Sequence, residues 1–543
     1  MMHHVRGLLL LAAVGLLALA SPTVADPAVP IWTGASLAEA VALPTHHNLM
    51  ESPRAFFTEW MDNIKTRLRP LYADKVDATT AFDWIPVFLG DLKAEEGATL
   101  QWSTPCYQQA SAEFRGSLNG QPAIIISALF PTAECEEEVY GIATIHGLAL
   151  HVLKGDATVE FNWTATITED EAEWIRNNGF RMMRLKGSVD ANLESVLATA
   201  ELFLPAELTA EVWKRVEAYN VDFLRAKAFY NLTLREVTDN IPDEADIQDG
   251  DFLGVLRLDG LDPMLAWAMG AHTGHTTIAM RFDGELYICE STTSSAYWPT
   301  NHIQRTPYRQ WIAQAKNASY NVVHLPLNDE YRAKFNNTKA TEWFLNVAEG
   351  LPYGYANMLF TWIDTPEANY PGTLDSHLHE LLIGFANAIS YELSGLLWDR
   401  ALNKRLNTVN MTTVPLLNLA HSRNISFTEL MEMPEQDEWQ YDDGYNMVCD
   451  VLVCEAWKAG GLFGDLDFQC TEFTNWDDYT LAIFNTTAPP AYCQQIDPGL
   501  PFCQILGDYR MSLPTYNSRP MVAHMAERCP RGTPPDFDKP AGC

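Results

Sequence analysis

Ten cysteines lie behind an N-terminal pattern of Arg6, the apolar run Leu8–Ala20 and small residues at Ala18 and Ala20, or Thr23 and Ala25. That combination constrains the fold more than any other feature. The pattern predicts a secretory signal peptide over 1–25, with an apolar core too short to span a bilayer. An exported chain folds where thiols oxidise, so most cysteines are expected in bridges. Proximity in the chain suggests Cys106–Cys135, Cys493–Cys503 and Cys529–Cys543, with Cys454 reaching Cys470 across a Gly-rich turn. Cys289 and Cys449 are left over. Either they form a fifth bridge, or Cys449 is a thiol kept free for chemistry.

Seven N-x-S/T sequons begin at Asn162, Asn231, Asn317, Asn336, Asn410, Asn424 and Asn485. With the signal peptide they predict a glycoprotein that is secreted or held in the lumen of the secretory or lysosomal pathway. No later segment offers about 18 uninterrupted apolar residues. The nearest, Leu381–Trp398, contains Glu392. Membrane insertion is therefore not expected. A formal net charge of -34 repels nucleic acid and anionic membranes, which removes both as partners.

A chain of 543 residues exceeds one ordinary core. Alternating and β-branched runs such as Ala123–Ile126 and Ala157–Phe161 predict a β-rich N-terminal domain over 26–204. It holds no evident chemistry, and His146 and His151 there read as core histidines. Apolar residues at helical spacing from Val212 to Tyr230 predict a helical connection over 205–246. The region 247–488 reads as a second domain with a helical insertion, Leu378–Arg405, broken near Gly395. The remainder, 489–543, is dense in Pro, Gly and Cys and reads as loops held by bridges. The fold class is α+β.

The chemistry concentrates in the second domain. Asp283-Gly284 predicts a two-residue hairpin between strands starting at His275 and Glu285. In that register Thr277 faces Glu290 and His275 faces Thr292, so all four share one face and His275 and Glu290 become diagonal neighbours. A carboxylate beside an imidazole fixes its tautomer and raises its basicity, as a general base for a thiol requires. Cys449 opens a predicted helix ending at Gly460-Gly461, where unsatisfied N–H groups stabilise a thiolate. Other residues compete. His272 is the fallback base; His377 and His379 form a His-x-His pair without a third zinc ligand, which reads as a polar helix start. Asp450 in the first turn complements the helix dipole.

In order along the chain stand Gly250-Asp251, Gly274-His275-Thr276-Thr277, Cys289-Glu290-Ser291, Pro352-Tyr353-Gly354-Tyr355 and Cys449-Asp450-Val451. This series resembles the circularly permuted papain-like fold of the NlpC/P60 superfamily, in particular its YiiX-like branch. The resemblance covers roughly Ile247 to Gly461 and requires an insertion of about 90 residues between Tyr355 and Cys449. It implies a cysteine peptidase or amidase, a thiol hydrolase with Cys449 as nucleophile, His275 as base and Glu290 as the orienting third residue. Amide bonds in peptides or amidated substrates become the expected targets, and Tyr353 and Tyr355 candidate pocket residues. Neither a metal nor an organic cofactor is implied. Two alternatives remain: an acyltransferase or lipid or ester hydrolase on the same residues, and an inert secreted binding or structural protein.

Overall fold

A computed structural model describes residues 31–33, 53–132, 137–205, 208–293, 297–300, 302–356, 376–389, 394–431, 433, 435–437, 439–441, 444–486, 493 and 500–522. The chain is mixed α and β and divides into two compact units, 2–201 with 374–430, and 202–373 with 431–543.

The first unit is β-rich. Strands β1 (Ile31–Thr33), β2 (Val87–Leu92), β6 (Glu138–Ala143), β7 (Gly147–Leu153) and β9 (Phe180–Leu185) form an antiparallel sheet in the order β1-β7-β6-β9-β2. Strands β3 (Thr99–Trp102), β4 (Tyr107–Arg115), β5 (Ala123–Pro131) and β8 (Ala157–Asn162) form a second in sequential order. Phe114 of β4 and Trp163, just after β8, meet Phe180 of β9 with ring centroids 5.8 and 5.3 Å apart, so aromatic packing joins the two sheets.

The helical insertion belongs to this unit rather than to the second domain, a correction to the expected boundaries. Buried polar and apolar contacts hold it there. Arg181 on β9 is 2% exposed and lies between Asp91 of β2, at 3.4 Å, and Glu380 of the helix Ser376–Ile389. Trp174 Nε1 donates to the other Glu380 oxygen at 2.9 Å. Gly384 of the same helix lies so close to Ile145 that an added Cβ would stand 2.2 Å from its side chain.

The second unit is built on a six-stranded antiparallel sheet in the order β14-β13-β12-β11-β15-β16. Its strands are β11 (Phe252–Leu256), β12 (His275–Phe282), β13 (Glu285–Thr292), β14 (His302–Pro307), β15 (Asn321–Leu325) and β16 (Cys503–Leu506), while β10 (Thr233–Leu234) pairs apart with β17 (Tyr509–Arg510). The helices that matter here are α1 (Ala210–Lys227), α2 (Leu261–Met269), α3 (Tyr308–Asn317), α4 (Cys449–Ala459) and α5 (Asn475–Thr480). Leu253, Val255, Ala279, Leu286 and Ile288 form one core with Trp311 and Ile312 of α3. Helix α4 packs on β12 and β13, and its Trp457 meets Phe252 at 6.1 Å.

Residues 500–522 depart from the expected loops, because β16 is an edge strand of the main sheet. Its four residues are all buried and show no apolar alternation. The polar Gln504 is satisfied locally: Nε2 donates to Leu506 O and Tyr509 O, and Oε1 accepts from Met511 N–H.

The hairpin follows its turn. Asp283 has φ +51° and Gly284 φ +87°, the left-handed pair of a type I′ turn, and the ladder runs from Phe282 opposite Glu285 to Ile278 opposite Cys289. An added Cβ at Gly284 would meet nothing within 4 Å, so only its backbone conformation demands glycine. Gly284→Ala is therefore expected to destabilise this unit by about 1 kcal/mol without shifting the register, measured by urea unfolding with exchange protection along β12 and β13 unchanged.

Candidate active site

His275 opens β12 directly after Gly274, and the glycine is required by close approach. An added Cβ there would lie 2.5 Å from Asp262 Cα in α2. His275 Nε2 shares a hydrogen bond of 2.9 Å with Glu290 Oε2. The other carboxylate oxygen accepts from Trp311 Nε1 at 3.1 Å, and Glu290 is 1% exposed. Both oxygens are thus held, and the imidazole is fixed by its carboxylate. With Nε2 engaged, Nδ1 is the ring nitrogen left for a second partner.

Cys449 is the second group that acts on this imidazole. Burial works against a charge on His275, but hydrogen bonding to Cys449 and then to Glu290 overrides it and holds the imidazole well above its ordinary pKa. Cys449 is 6% exposed, and its thiol points to Asn475 Oδ1 at 3.8 Å. Asn475 opens α5 and donates through Nδ2 to Thr273 O at 3.3 Å. Neither Cys449 nor Cys289 is bridged, which removes the fifth disulfide. Cys289 opposes Ile278 and Arg305 and, next to Glu290 on β13, projects to the opposite face of the sheet. Burial pushes its thiol well up in pKa.

The start of α4 is fixed from two sides. Ser291 Oγ donates to Met447 O at 2.6 Å, and Gly354 N–H donates to the same carbonyl at 2.9 Å. A Cβ on Gly354 would stand 2.7 Å from Val448 N. The aromatic segment is thereby pressed onto the backbone before Cys449. Tyr353 pairs with Met447 in a parallel bridge and is half-buried, with its ring 5.0 Å from that of the buried Tyr355. Burial and the nearby charge of Cys449 push the Tyr353 hydroxyl well up in pKa.

Asp450 is more than a dipole complement. Its carboxylate accepts the N–H of Val451 at 2.9 Å within the first turn of α4. Burial pushes its pKa up to about 7, with the Asp477 charge adding and His275 opposing. Asp262 likewise rises to about 7, through burial and then the charge of Asp259. Burial and the charges of Asp450 and Cys449 push Asp478 well up from the ordinary carboxylate range. In mildly acidic medium these acids are neutral, so they do not oppose a thiolate at Cys449.

The other histidines are occupied elsewhere. His272 stacks on Tyr230 at 3.6 Å, its Nδ1 bonds Ser512 O at 2.7 Å, and burial lowers its pKa to about 4, so the fallback base has a separate structural place. His377 stacks on Phe88 at 4.0 Å, and His379 is 7% exposed on the helix opened by Ser376. Burial lowers the pKa of His146 and His151 in the first unit. Asp251 is a structural anchor: its oxygens take His324 Nε2 at 2.8 Å, Arg332, Leu327 N–H and Gln248 N–H.

Among the described residues, Asp437, Glu455 and Cys470 are the one cluster close enough to share a cation. Cys470 is bridged to Cys454, so the cluster offers no thiolate. Cys493–Cys503 forms the other fully described bridge, and Cys106 is also disulfide-bonded. Cys135, Cys529 and Cys543 lie outside the described residues. Asn162, Asn231, Asn317, Asn336, Asn410 and Asn424 are exposed and Asn485 is half-buried. No described helix is long and apolar enough to cross a membrane.

Trp311 and Asn475 were not anticipated. Trp311 sits on the apolar face of an amphipathic helix, where a core role is the default reading. Asn475 follows Cys449 by 26 positions with no motif to join them. No protein-family model, curated protein or solved structure matches the chain.

The raised pKa values set a direction for stability against pH. In the unfolded chain Asp262 and Asp450 ionise near 4, but in the fold at about 7. Their contribution is complete below about 4 and declines as pH rises toward 7, by at most about 1.4 kcal/mol per pH unit for each group. His275, also raised, acts in the same sense. Urea midpoints for the second unit are expected to be higher at pH 5 than at pH 7.5, and Asp450→Asn to flatten that decline; an equally steep profile in the variant would remove Asp450 as its source.

Proposed function

We propose that the chain is an exported cysteine hydrolase that cleaves amide bonds through Cys449, His275 and Glu290. The observation that carries this reading is the hydrogen-bonded run from an unbridged thiol at a helix start to an imidazole, and from the imidazole to a buried carboxylate. A buried carboxylate attached to histidine and tryptophan has little structural purpose that apolar residues would not serve as well. The order of the motifs and the antiparallel sheet carrying His275 and Glu290 support a permuted papain-like reading of the second unit.

In the reactive form of the site the proton resides on His275 and the sulfur attacks as the thiolate, with Glu290 balancing the imidazolium. The sulfur attacks the carbonyl carbon, forming the C–S bond and placing the electron pair on oxygen. The Cys449 N–H, at the first helical position, has no intrahelical acceptor and is the candidate donor to that oxyanion. Collapse returns the pair and breaks the C–N bond while His275 gives its proton to the leaving amine. Water then loses a proton to His275 as it attacks the thioester, and the acid departs with the thiolate restored. Export is supported by the described bridges and by the exposure of the sequon asparagines.

Native free-thiol mapping tests the carrying observation. Cys449 is expected to be alkylated by iodoacetamide at pH 5.5 much faster than Cys289, which is buried and raised in pKa; recovery of Cys449 in a bridge would sink the hydrolase reading. On a peptide and acyl-ester library, Cys449→Ala should abolish turnover. Glu290→Gln should lower kcat by about 10- to 100-fold, the scale of general-base catalysis, with folding retained. An unchanged rate in Glu290→Gln would remove that residue from the mechanism.

A further inference from the structure

Asn475 is 1% exposed, and both ends of its amide are in use. Nδ2 donates to Thr273 O at 3.3 Å, and Oδ1 accepts from the Cys449 thiol at 3.8 Å. The first contact dictates the second. A backbone carbonyl has no hydrogen to give, so only the NH2 end can face Thr273 O, and the sulfur meets the end that can only accept.

Helix α5 holds the amide in that pose. Thr474 and Asp477 cap the helix reciprocally, and Asp477 Oδ1 takes Arg519 at 2.7 Å. Further along α5, the Tyr479 hydroxyl accepts the His272 N–H at 3.2 Å, and Tyr479 O accepts the Asn517 N–H at 3.0 Å. Thr273 and His272 stand two and three positions before His275. The helix that carries Asn475 is thus tied at two points to the segment that delivers the base.

An acceptor beside a sulfur stabilises the form that has a hydrogen to offer. A thiolate has none and meets the amide oxygen as one negative group meets another. His275 pulls the opposite way, through its own hydrogen bond to Cys449. The other titratable groups around the sulfur are Asp450 beside it on α4, Asp478 from α5 and Tyr353 from the aromatic segment. Burial keeps all three neutral in mildly acidic medium, which leaves Asn475 and His275 as the groups that compete for the hydrogen.

We propose that Asn475 is a positioning residue that holds Cys449 as a thiol in the resting site and fixes the sulfur relative to His275. This rests on the hydrolase reading of Cys449. The reactive form arises when the S–H turns from Asn475 Oδ1 to the imidazole of His275. The S–H bond then breaks, its electron pair stays on sulfur, and the proton passes to the ring, where Glu290 balances it. Asn475 thus lowers the standing fraction of thiolate while improving its aim.

The test follows iodoacetamide alkylation of Cys449 and Cys289, with kcat and KM on the best library substrate, in the full-length wild type, Asn475→Ala and Asn475→Asp. Asn475→Ala removes both contacts. Alkylation of Cys449 at pH 5.5 should rise by about 2- to 10-fold, the scale of one hydrogen bond. In the same variant kcat should fall by roughly 10- to 100-fold, the scale of a misplaced reacting group, with little change in KM. A residue needed only for folding, or one that stabilises the thiolate or the oxyanion, lowers both rates together; that outcome overturns the proposal. Asn475→Asp supplies a carboxyl of the same shape. At pH 5, where the neighbouring acids are neutral, its OH can donate to Thr273 O and its other oxygen can face the sulfur. Relative to wild type it should recover most of the turnover lost in Asn475→Ala at pH 5 and lose it again by pH 7.5; no recovery at pH 5 overturns the proposal. Slow alkylation of Cys289 reports an intact sheet, and if Asn475→Ala exposes Cys289 the two-pH comparison of Asn475→Asp decides alone. A wild type that turns over nothing in the library, while alkylation still rises in Asn475→Ala, sinks the hydrolase reading and supports the thiol contact.

Discussion

The carboxylate of Glu290 is the group on which the site depends. It is fully enclosed, and a buried carboxylate is tolerated only when its oxygens are occupied. Here one oxygen takes the Trp311 indole and the other the His275 imidazole. Because Trp311 also packs in the core between α3 and the sheet, the position of the histidine is inherited from the core rather than from a loop. A site built this way loses orientation only if the unit itself loosens. The same rigidity appears on the thiol side, where Met447 O is held by donors from β13 and from the aromatic segment before the chain enters α4.

The acids around Cys449 would be a poor setting for a thiolate if they were charged. Burial resolves this by keeping them protonated up to about 7 in Asp450 and Asp262. Their self-burial and mutual repulsion push in one direction, while the nearby imidazolium pulls only partly back. The net effect couples the charge of the site to the medium. As pH falls below about 7 Asp450 and Asp262 lose their charge while His275, raised in pKa, keeps its proton.

Much of this was legible in the sequence because it rests on local rules. A two-residue turn at Asp283-Gly284 sets the pairing of β12 and β13, and period-two alternation then puts His275 and Glu290 on one face. The helix beginning at Cys449 was visible from its terminal glycines. Less legible were features decided over long distances. The assignment of the insertion to the first unit depends on contacts such as Arg181 with Glu380, separated by 199 positions. Strand β16 was hidden because a buried Gln504 breaks the apolar pattern, and only its local hydrogen bonds explain why a polar residue can sit there. Trp311 and Asn475 carry no sequence signal, since their value comes from the atoms they face.

Local and non-local information also differ in what they license about chemistry. His272 and His275 are near neighbours in sequence and equally plausible bases by residue type. The fold separates them through what each nitrogen meets: a backbone carbonyl and a tyrosine face for one, a carboxylate and a sulfur for the other. The first environment drives the proton off and the second holds it on, so the two imidazoles differ in charge within a few residues of each other. What sets His275 apart from His272 is therefore its partners, and the carboxylate among them is itself held by Trp311 in the core.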